Sequence, residues 1–268
     1  MSILEVKNLS AGYGNGPVIM DIHFSLHEGE FVTILGPNGS GKSTLIKAIQ
    51  GLLREITGEV QVAGKDLFQM KRREIARAIA FVPQLYELAF DYTVWEIVSM
   101  GRYAHQTRLA SLSAQETGFI EEVLRLFGIH HLRHRKMSQL SGGERQRATI
   151  ARAMVQDTPF LFLDEPSAHL DLSYSLEIFC LLEKLQQEHR KTILCTEHNI
   201  NLVIPYSQRI IFLKNGRIQA HGPPQALITR AHIEEVFGTE VEIRENLHSR
   251  LPEISLIHRH PRREGERP

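Results

Sequence analysis

The feature that most constrains this chain is a glycine-rich loop between a predicted strand and a predicted helix. Residues 36–44 read Gly-Pro-Asn-Gly-Ser-Gly-Lys-Ser-Thr and match the spacing G-x-x-x-x-G-K-[ST]. The continuous apolar run 31–35 comes before the loop and predicts a strand covered on both faces. Apolar residues at helical spacing follow the loop, from Lys42 as far as Leu52. Strand, loop and helix in this order predict an α/β domain.

The residue types in this loop are those that hold nucleotide phosphates. Glycines let backbone N–H groups curl around phosphate oxygens, and the N-terminus of the following helix adds partial positive charge. The Lys42 ammonium would reach the β- and γ-phosphates, and the Ser43 hydroxyl would bind Mg²⁺. We therefore predict nucleotide binding by Gly36, Pro37, Asn38, Gly39, Ser40, Gly41, Lys42, Ser43 and Thr44.

Two carboxylates at the end of a second buried strand would supply the other half of such a site. The apolar run 160–163 leads directly into Asp164 and Glu165. Asp164 is suited to a direct or water-mediated contact with Mg²⁺. Glu165 is placed to orient and deprotonate an attacking water. The alternative is that the pair only caps a turn.

Composition excludes several classes of protein. The chain has 268 residues, with 31 Lys plus Arg and 31 Asp plus Glu, so its formal charge is zero. Binding to long nucleic acid needs a basic footprint, and no net basic charge is present. No apolar run approaches the ~20 residues that cross a bilayer, so we expect a soluble chain whose membrane role comes through a partner. Cys180 and Cys195 lie in apolar stretches without a Cys-x-x-Cys pair, which predicts that both pack in the core.

Periodicity predicts the other elements of secondary structure. Further strands are predicted at residues 3–9, 18–26, 58–62, 192–196 and 210–213. Helices are predicted at residues 94–103, 114–127 and 175–188. Asn215-Gly216 predicts the turn of a hairpin. Because no strand pattern interrupts the first two of these helices, we predict a helical insertion at about residues 86–150.

The segment 140–147 reads Leu-Ser-Gly-Gly-Glu-Arg-Gln-Arg. By itself, Ser141 with Glu144 three residues later predicts a capped helix N-terminus. Together with the phosphate loop and the acidic pair, the segment resembles the signature of the ATP-binding cassette (ABC) ATPases. The resemblance covers roughly residues 2–238. It implies a P-loop NTPase (RecA-like) core with an antiparallel β subdomain and an inserted α-helical subdomain at about 86–150, followed by a partly disordered extension at 239–268. Within that extension, residues 258–263 are expected to fray.

The resemblance also implies roles for single residues around ATP and Mg²⁺. Tyr13 would stack on adenine. Gln84 would contact Mg²⁺ or water and link the nucleotide to a membrane partner, and His198 would contact the γ-phosphate. The implied catalytic residues are Glu165, His198, Gln84 and Lys42, and the implied metal-binding residues are Ser43, Gln84 and Asp164.

A second copy of the chain is implied by the signature. Ser141, Gly142 and Gly143 would meet the γ-phosphate of ATP held by the other copy, and Asp171 would lie in a loop that crosses the interface. The implied assembly is a head-to-tail homodimer bound to integral membrane permease subunits, peripheral to the cytoplasmic face of the cell membrane. A periplasmic or extracellular substrate-binding protein would act indirectly, and no nucleic acid is expected.

Within the family, three segments resemble the ATPases of metal-chelate importers. These are residues 100–103 (Met-Gly-Arg-Tyr), 112–114 (Leu-Ser-Ala) and 167–171 (Ser-Ala-His-Leu-Asp). The implied cargo is a ferric siderophore, haem or a cobalamin-like corrinoid. Asn199 follows His198 where the family often has Asp, which keeps a hydrogen-bonding group and loses a charge. Two alternatives stay open, namely the ATPase of another transporter and a non-transport assembly ATPase of the iron–sulfur type.

Overall fold

The computed structural model describes residues 2–84, 90–106 and 111–257. The strands of this part are β1 Ser2–Gly12, β2 Pro17–His27, β3 Phe31–Leu35, β4 Glu55–Val62, β5 Lys65–Asp66, β6 Ile79–Val82, β7 Phe160–Asp164, β8 Thr192–Glu197, β9 Arg209–Lys214, β10 Arg217–Gly222, β11 Val241–Glu245 and β12 Pro252–Leu256. The α-helices are α1 Lys42–Ile49, α2 Arg72–Ala78, α3 Val94–Ser99, α4 Ala114–Leu126, α5 Gly142–Val155, α6 Leu172–His189, α7 Ile200–Val203, α8 Pro224–Leu227 and α9 Arg230–Phe237.

The central sheet has six strands in the order β10-β9-β3-β8-β7-β6. Its strands run parallel from β9 to β6, and β10 pairs antiparallel with β9 as the Asn215-Gly216 turn predicts. Strands β3, β7 and β8 are buried along their whole length, which confirms the prediction from their continuous apolar runs. Because the strands are parallel, the loops that follow them emerge at one edge of the sheet.

A second, antiparallel sheet covers one side of the molecule. Its strand order is β2-β1-β4-β5. Helix α1 lies between the two sheets, and its apolar side chains Leu45, Ile46 and Ile49 join a core built from both. The phosphate loop at the start of α1 is therefore anchored by two layers of packing. The antiparallel sheet and the α/β core confirm the predicted fold class.

Helices α3, α4 and α5 pack together on the opposite side of the central sheet. No strand is assigned within residues 90–106 and 111–150, the described part of the predicted helical insertion. Its predicted start near residue 86 lies outside the described residues. Gly101 contacts α5 so closely that an added Cβ would lie 2.2 Å from the carbonyl oxygen of Arg152, and Arg102 donates to the carbonyl oxygen of Val155 at 2.9 Å. The Met-Gly-Arg-Tyr segment thus joins α3 to the C-terminal end of α5.

Three expectations from the sequence need correction. Helix α1 ends at Ile49, short of Leu52, because Gly51 takes the left-handed conformation (φ 63°) that ends many helices. Cys195 is buried, and burial raises the pKa of its thiol, but Cys180 is exposed because it lies on the outer face of α6.

The third concerns the start of the C-terminal extension. Residues 241–256 form an antiparallel hairpin of β11 and β12, which the polar composition did not predict. The Asn201 side chain ties the hairpin to α7 by accepting from the backbone N–H of Ile254 and donating to its carbonyl oxygen, each at 2.9 Å. The predicted frayed residues 258–263 lie outside the described residues. No helix within the described ranges is long and apolar enough to cross a membrane.

Candidate functional site

A cleft of about 420 Å³ opens at the edge of the central sheet where the parallel strands end. The loops after β3, β6 and β7 all contribute to it. Its lining residues, as far as the structure describes them, are Val18, Asn38, Gly39, Gly41, Lys42, Ser43, Thr44, Gln84 and Glu165. Residues predicted separately from the glycine loop, the glutamine after β6 and the acidic pair after β7 therefore share one cavity.

Two positions of the loop, Gly36 and Gly41, favour glycine for different reasons. A Cβ at Gly36 would lie 2.0 Å from the carbonyl oxygen of Leu213. Gly41 has φ 102°, and it is the N-cap of α1 without any side-chain cap. The hydroxyl of Ser40 is buried and has no hydrogen-bond partner among the described residues. The first turn of a helix also leaves backbone N–H groups without partners inside the helix. Together with the Ser40 hydroxyl, these N–H groups fit an anionic ligand such as a phosphate.

Lys42 places a buried positive charge in the cleft. Its side chain is 5% exposed, and Nζ donates to the carbonyl oxygens of Gly36 at 3.0 Å and Pro37 at 3.3 Å. The ammonium also lies 3.7 Å from Oε1 of Glu165. Two neutral carbonyls and one carboxylate orient the ammonium at the floor of the loop, within reach of an incoming anion.

Glu165 lies at the centre of the polar side chains. Gln84 Nε2 donates to its Oε2 at 2.9 Å, and His198 Nδ1 is 3.8 Å from the same oxygen. Its backbone is in the left-handed region (φ 48°), which is uncommon for a residue with a side chain. Its N–H donates to the Thr196 side chain and carbonyl oxygen at 3.0 and 3.1 Å. Bonds to β8 therefore hold Glu165 in the conformation that turns its carboxylate towards Lys42.

The Asp164 carboxylate is held by two hydroxyl groups. Ser43 donates to Oδ1 at 3.0 Å, and Thr196 donates to the same oxygen at 2.7 Å. Oxygen donors of this kind are those that Mg²⁺ prefers, and the Gln84 amide adds another. Thr196 was missed by the sequence analysis, although a polar residue ending an apolar strand is a signal that points to it.

Tyr13 extends from the loop between β1 and β2 towards the start of α1. Its hydroxyl lies 3.5 Å from Oγ1 of Thr44, and the residue is 58% exposed. An exposed aromatic ring beside the phosphate loop is available for stacking on a flat heterocycle. The adenine contact itself stays a prediction.

Ser141, Gly142 and Gly143 are absent from the part of the cleft lining that the structure describes. They begin α5, as predicted, with Ser141 as N-cap and Glu144 completing the capping box. The backbone N–H and hydroxyl of Ser141 donate to the Glu144 carboxylate and hold its pKa below the ordinary value. The Leu170 side chain lies beside Gly142, and a Cβ on Gly143 would lie 2.5 Å from the Tyr174 ring.

Asp171 also lies at a helix start. It is the N-cap of α6 and accepts from the backbone N–H of Tyr174 at 2.9 Å. The structure therefore brings Lys42, Ser43, Gln84, Asp164, Glu165 and His198 together, and it places the signature residues beside the start of α6 instead.

His198 follows β8 and is 55% exposed. The residue before it, Glu197, is fully buried and accepts from the side chain and backbone of Ser167. Glu197 was not predicted from the sequence to have a role, although a charged residue at the end of a buried strand is a signal of one. Asn199 caps α7 by accepting from the backbone N–H of Leu202 at 3.2 Å. An amide oxygen serves this capping role as an Asp carboxylate would.

The chain is similar to known proteins in sequence. The ABC transporter family model matches residues 19–168. The iron(3+)-hydroxamate import ATP-binding protein FhuC of Bacillus subtilis (strain 168) is 36% identical over 243 residues, which are 91% of this chain and 90% of that protein.

Two solved structures are also similar. A metal-chelate-type ABC transporter in an inward-facing conformation has a TM-score of 0.84 and 28% identity, with 96% of this chain and 98% of that chain covered. A bacterial ABC transporter cassette solved as a dimer has a TM-score of 0.73 and 30% identity, covering 82% of this chain and 98% of that chain.

Proposed function

The chain belongs to the ABC transporter ATPases, and from that premise we propose that it is the ATP-hydrolysing subunit of a membrane importer for metal chelates. The observation that carries the chemical part is the position of Glu165, whose carboxylate lies within 4 Å of Lys42, Gln84 and His198 side chains. The cargo class rests on its likeness to an iron(3+)-hydroxamate import subunit and to a metal-chelate-type transporter.

The proposed reaction uses these side chains on bound ATP. The N–H groups of the loop and the Lys42 ammonium hold the β- and γ-phosphates, a stronger partner for Lys42 than two neutral carbonyls. Glu165 orients a water and accepts its proton as the water oxygen bonds to the γ-phosphorus and the bond to the ADP oxygen breaks. His198 contacts the γ-phosphate, and Gln84 holds Glu165 in position.

Mg²⁺ is the proposed metal. Ser43, Asp164 and Gln84 would hold it through oxygen atoms, and it would neutralise charge on the β- and γ-phosphates. The Ser43–Asp164 hydrogen bond of 3.0 Å brings two of these donors together at the mouth of the loop. Tyr13 would stack on the adenine.

We propose that two copies bind head to tail with two ATP molecules between them. Ser141 and Gly142 are exposed and lie outside the described lining of their own cleft, so they are free to contact a γ-phosphate held by another copy. The start of α6, with Asp171, would lie at the same interface. Support comes from the likeness to a cassette solved as a dimer.

The dimer would be bound to integral membrane permease subunits at the cytoplasmic face of the membrane, where ATP-driven closure moves the permease. The helical part, residues 90–106 and 111–150 in the structure, and the region around Gln84 would receive them. A substrate-binding protein on the far side of the membrane would contribute only indirectly, and no nucleic acid takes part.

Uptake in cells tests the proposal. In cells whose single copy carries Glu165→Gln, we would measure entry of labelled ferric siderophores, haem and corrinoid. We expect one cargo class to be lost, because a chain that binds ATP without hydrolysing it cannot complete a transport cycle. Cells carrying Glu59→Gln, an exposed glutamate on β4, should import normally. Unchanged uptake of every chelate by the Glu165→Gln cells would overturn the metal-chelate assignment.

A further inference from the structure

Glu197 is a fully buried carboxylate at the end of β8, one of the inner strands of the sheet. Burying an ionised carboxylate is costly unless hydrogen bonds and a counter-charge compensate it. Both of its oxygens are engaged, each by a different loop. The structure therefore holds Glu197 between two segments, at Ser167 and His198, that are distant in sequence and meet at this carboxylate.

One oxygen belongs to the turn that follows the acidic pair. Oε1 accepts from the hydroxyl of Ser167 at 2.6 Å and from its backbone N–H at 3.1 Å. Ser167 in turn begins a tight turn in which the N–H of Leu170 donates to its carbonyl oxygen at 3.1 Å. Leu170 is the residue whose side chain lies beside Gly142 of the signature. Oε1 thus holds the turn at residues 167–170, which places the Leu170 side chain beside the exposed signature residue Gly142.

The other oxygen belongs to His198. Oε2 accepts from the backbone N–H of His198 at 3.2 Å and lies 3.6 Å from its Nδ1. Glu165 Oε2 is 3.8 Å from the same Nδ1. The imidazole therefore lies between the carboxylate of the cleft and the buried carboxylate, and its orientation depends on both.

We propose that Glu197 is a positioning residue that makes His198 and the turn at residues 167–170 move as a unit. The inference rests on the proposed contact of His198 with the γ-phosphate. When His198 shifts on phosphate binding, Glu197 shifts with it through the bond to Oε2. The bond between Oε1 and Ser167 then shifts the turn that carries Leu170. The presence of a γ-phosphate in one copy would thereby change the position of Leu170 beside Gly142, on the surface proposed to face the other copy.

Two substitutions separate the two connections. Glu197→Gln retains the shape of the side chain, but an amide can accept on one side only, so one of the two loops loses its acceptor. Ser167→Ala removes the hydroxyl donor and leaves the backbone donor in place. Glu121→Gln is the matched control, because Glu121 also pairs with a histidine, His130, in the helical part of the chain.

The measurements are the KM for ATP, the kcat normalised to the amount of protein that binds ATP, and the midpoint of thermal unfolding. We expect Glu197→Gln to lower kcat about tenfold and to leave KM within about twofold, because misplacement of a transition-state contact acts on turnover. Ser167→Ala should lower kcat about threefold, and the double variant should be no slower than Glu197→Gln alone. Glu121→Gln should retain the parental values.

The outcomes separate this inference from the proposed function. If Glu197→Gln kept the parental kcat, whether or not its unfolding midpoint fell, the positioning role would be overturned and the proposed function would stand. Independent effects that multiply in the double variant would overturn the connection between the two loops. A parental protein that failed to hydrolyse ATP would overturn the proposed function, and this inference with it.

Discussion

The nucleotide cleft and the signature segment differ in how they are held. In the cleft, the side chains that follow β3, β6 and β7 bond or pair with one another, namely Lys42, Ser43, Gln84, Asp164 and Glu165. In the signature, Ser141 bonds to Glu144 of its own helix. The cleft therefore depends on neighbouring strands of the sheet, whereas the signature is held by local capping between two residues, Ser141 and Glu144.

This difference fits the proposed division of roles between two copies of the chain. A network of buried charges changes when a polyanion enters, so the cleft responds to the nucleotide. A capped helix start keeps its shape without any ligand, so the signature is already formed before its proposed contact with the ATP of a second copy. Four substitutions test this contrast.

The largest effect is expected from Lys42→Ala. It should weaken ATP binding about 100-fold or more, because removing one member of a buried charged pair costs about 2–5 kcal/mol. Calorimetric titration with ATP measures the loss. Lys65→Ala, which removes an exposed lysine from β5, is the control and should bind ATP as the parental chain does. An unchanged affinity in Lys42→Ala would mean that the loop does not hold the phosphates.

The second effect is expected from Gly143→Ala. Its new Cβ would lie 2.5 Å from the Tyr174 ring, so the signature surface must shift. ATP affinity should stay within about twofold, while ATP hydrolysis should fall about 10- to 100-fold because a γ-phosphate contact is lost.

Mixing inactive chains sharpens this prediction. In an equal mixture of Lys42→Ala and Gly143→Ala chains, half of the dimers are mixed, and each has one complete site made from an intact loop and an intact signature. Hydrolysis should therefore recover to about a quarter of the parental rate. If each copy used its own signature, the mixture would stay inactive.

The smallest effect is expected on stability. Helices α4 and α5 begin with the same capping box, Ser113 with Glu116 and Ser141 with Glu144. Ser113→Ala and Ser141→Ala should each lower the free energy of unfolding by about 1 kcal/mol, measured by urea denaturation. Only Ser141→Ala should also slow ATP hydrolysis. Equal loss of hydrolysis in both would show that capping, and not contact with the nucleotide, explains the effect.

The pH dependence of these two losses has a defined sign. Hydrogen bonds from the serines hold the pKa of Glu116 and Glu144 below the ordinary value of 4.5. The stability that these carboxylates contribute is complete above pH 4.5 and is lost as the pH falls through their lowered pKa. The difference in free energy of unfolding between each serine variant and the parental chain should therefore become smaller as the pH falls.

What the sequence predicts well is what is local in sequence. The phosphate loop, the acidic pair and the Ser141–Glu144 cap are each set by a few adjacent residues, and the structure has all three. Four of the five parallel strands of the core, β3, β7, β8 and β9, follow from apolar runs alone, whereas β6 was not predicted. The placement of Lys42, Gln84 and Glu165 in one cleft follows from the sheet, because parallel strands bring their ends to one edge.

The features that were missed depend on partners distant in sequence. Thr196 and Glu197 acquire roles only because β8 lies beside β7, where Asp164 and the turn with Ser167 emerge. The hairpin of β11 and β12 was hidden by its polar residues, although Val241 and Ile243 alternate as a strand would. Its docking through Asn201 could not be read from any local pattern.

The close contact of Gly101 with Arg152 has a mechanical consequence for the other end of α5. A helix of 14 residues spans about 21 Å, and α5 runs from the signature glycines to the turn that touches Gly101. Because α5 is one uninterrupted helix, a displacement of its C-terminal end along the axis also displaces its N-terminal end. If a membrane protein binds the helical part near Gly101, as proposed above, displacement of that end of α5 would also displace the signature residues proposed to contact the ATP of a second copy.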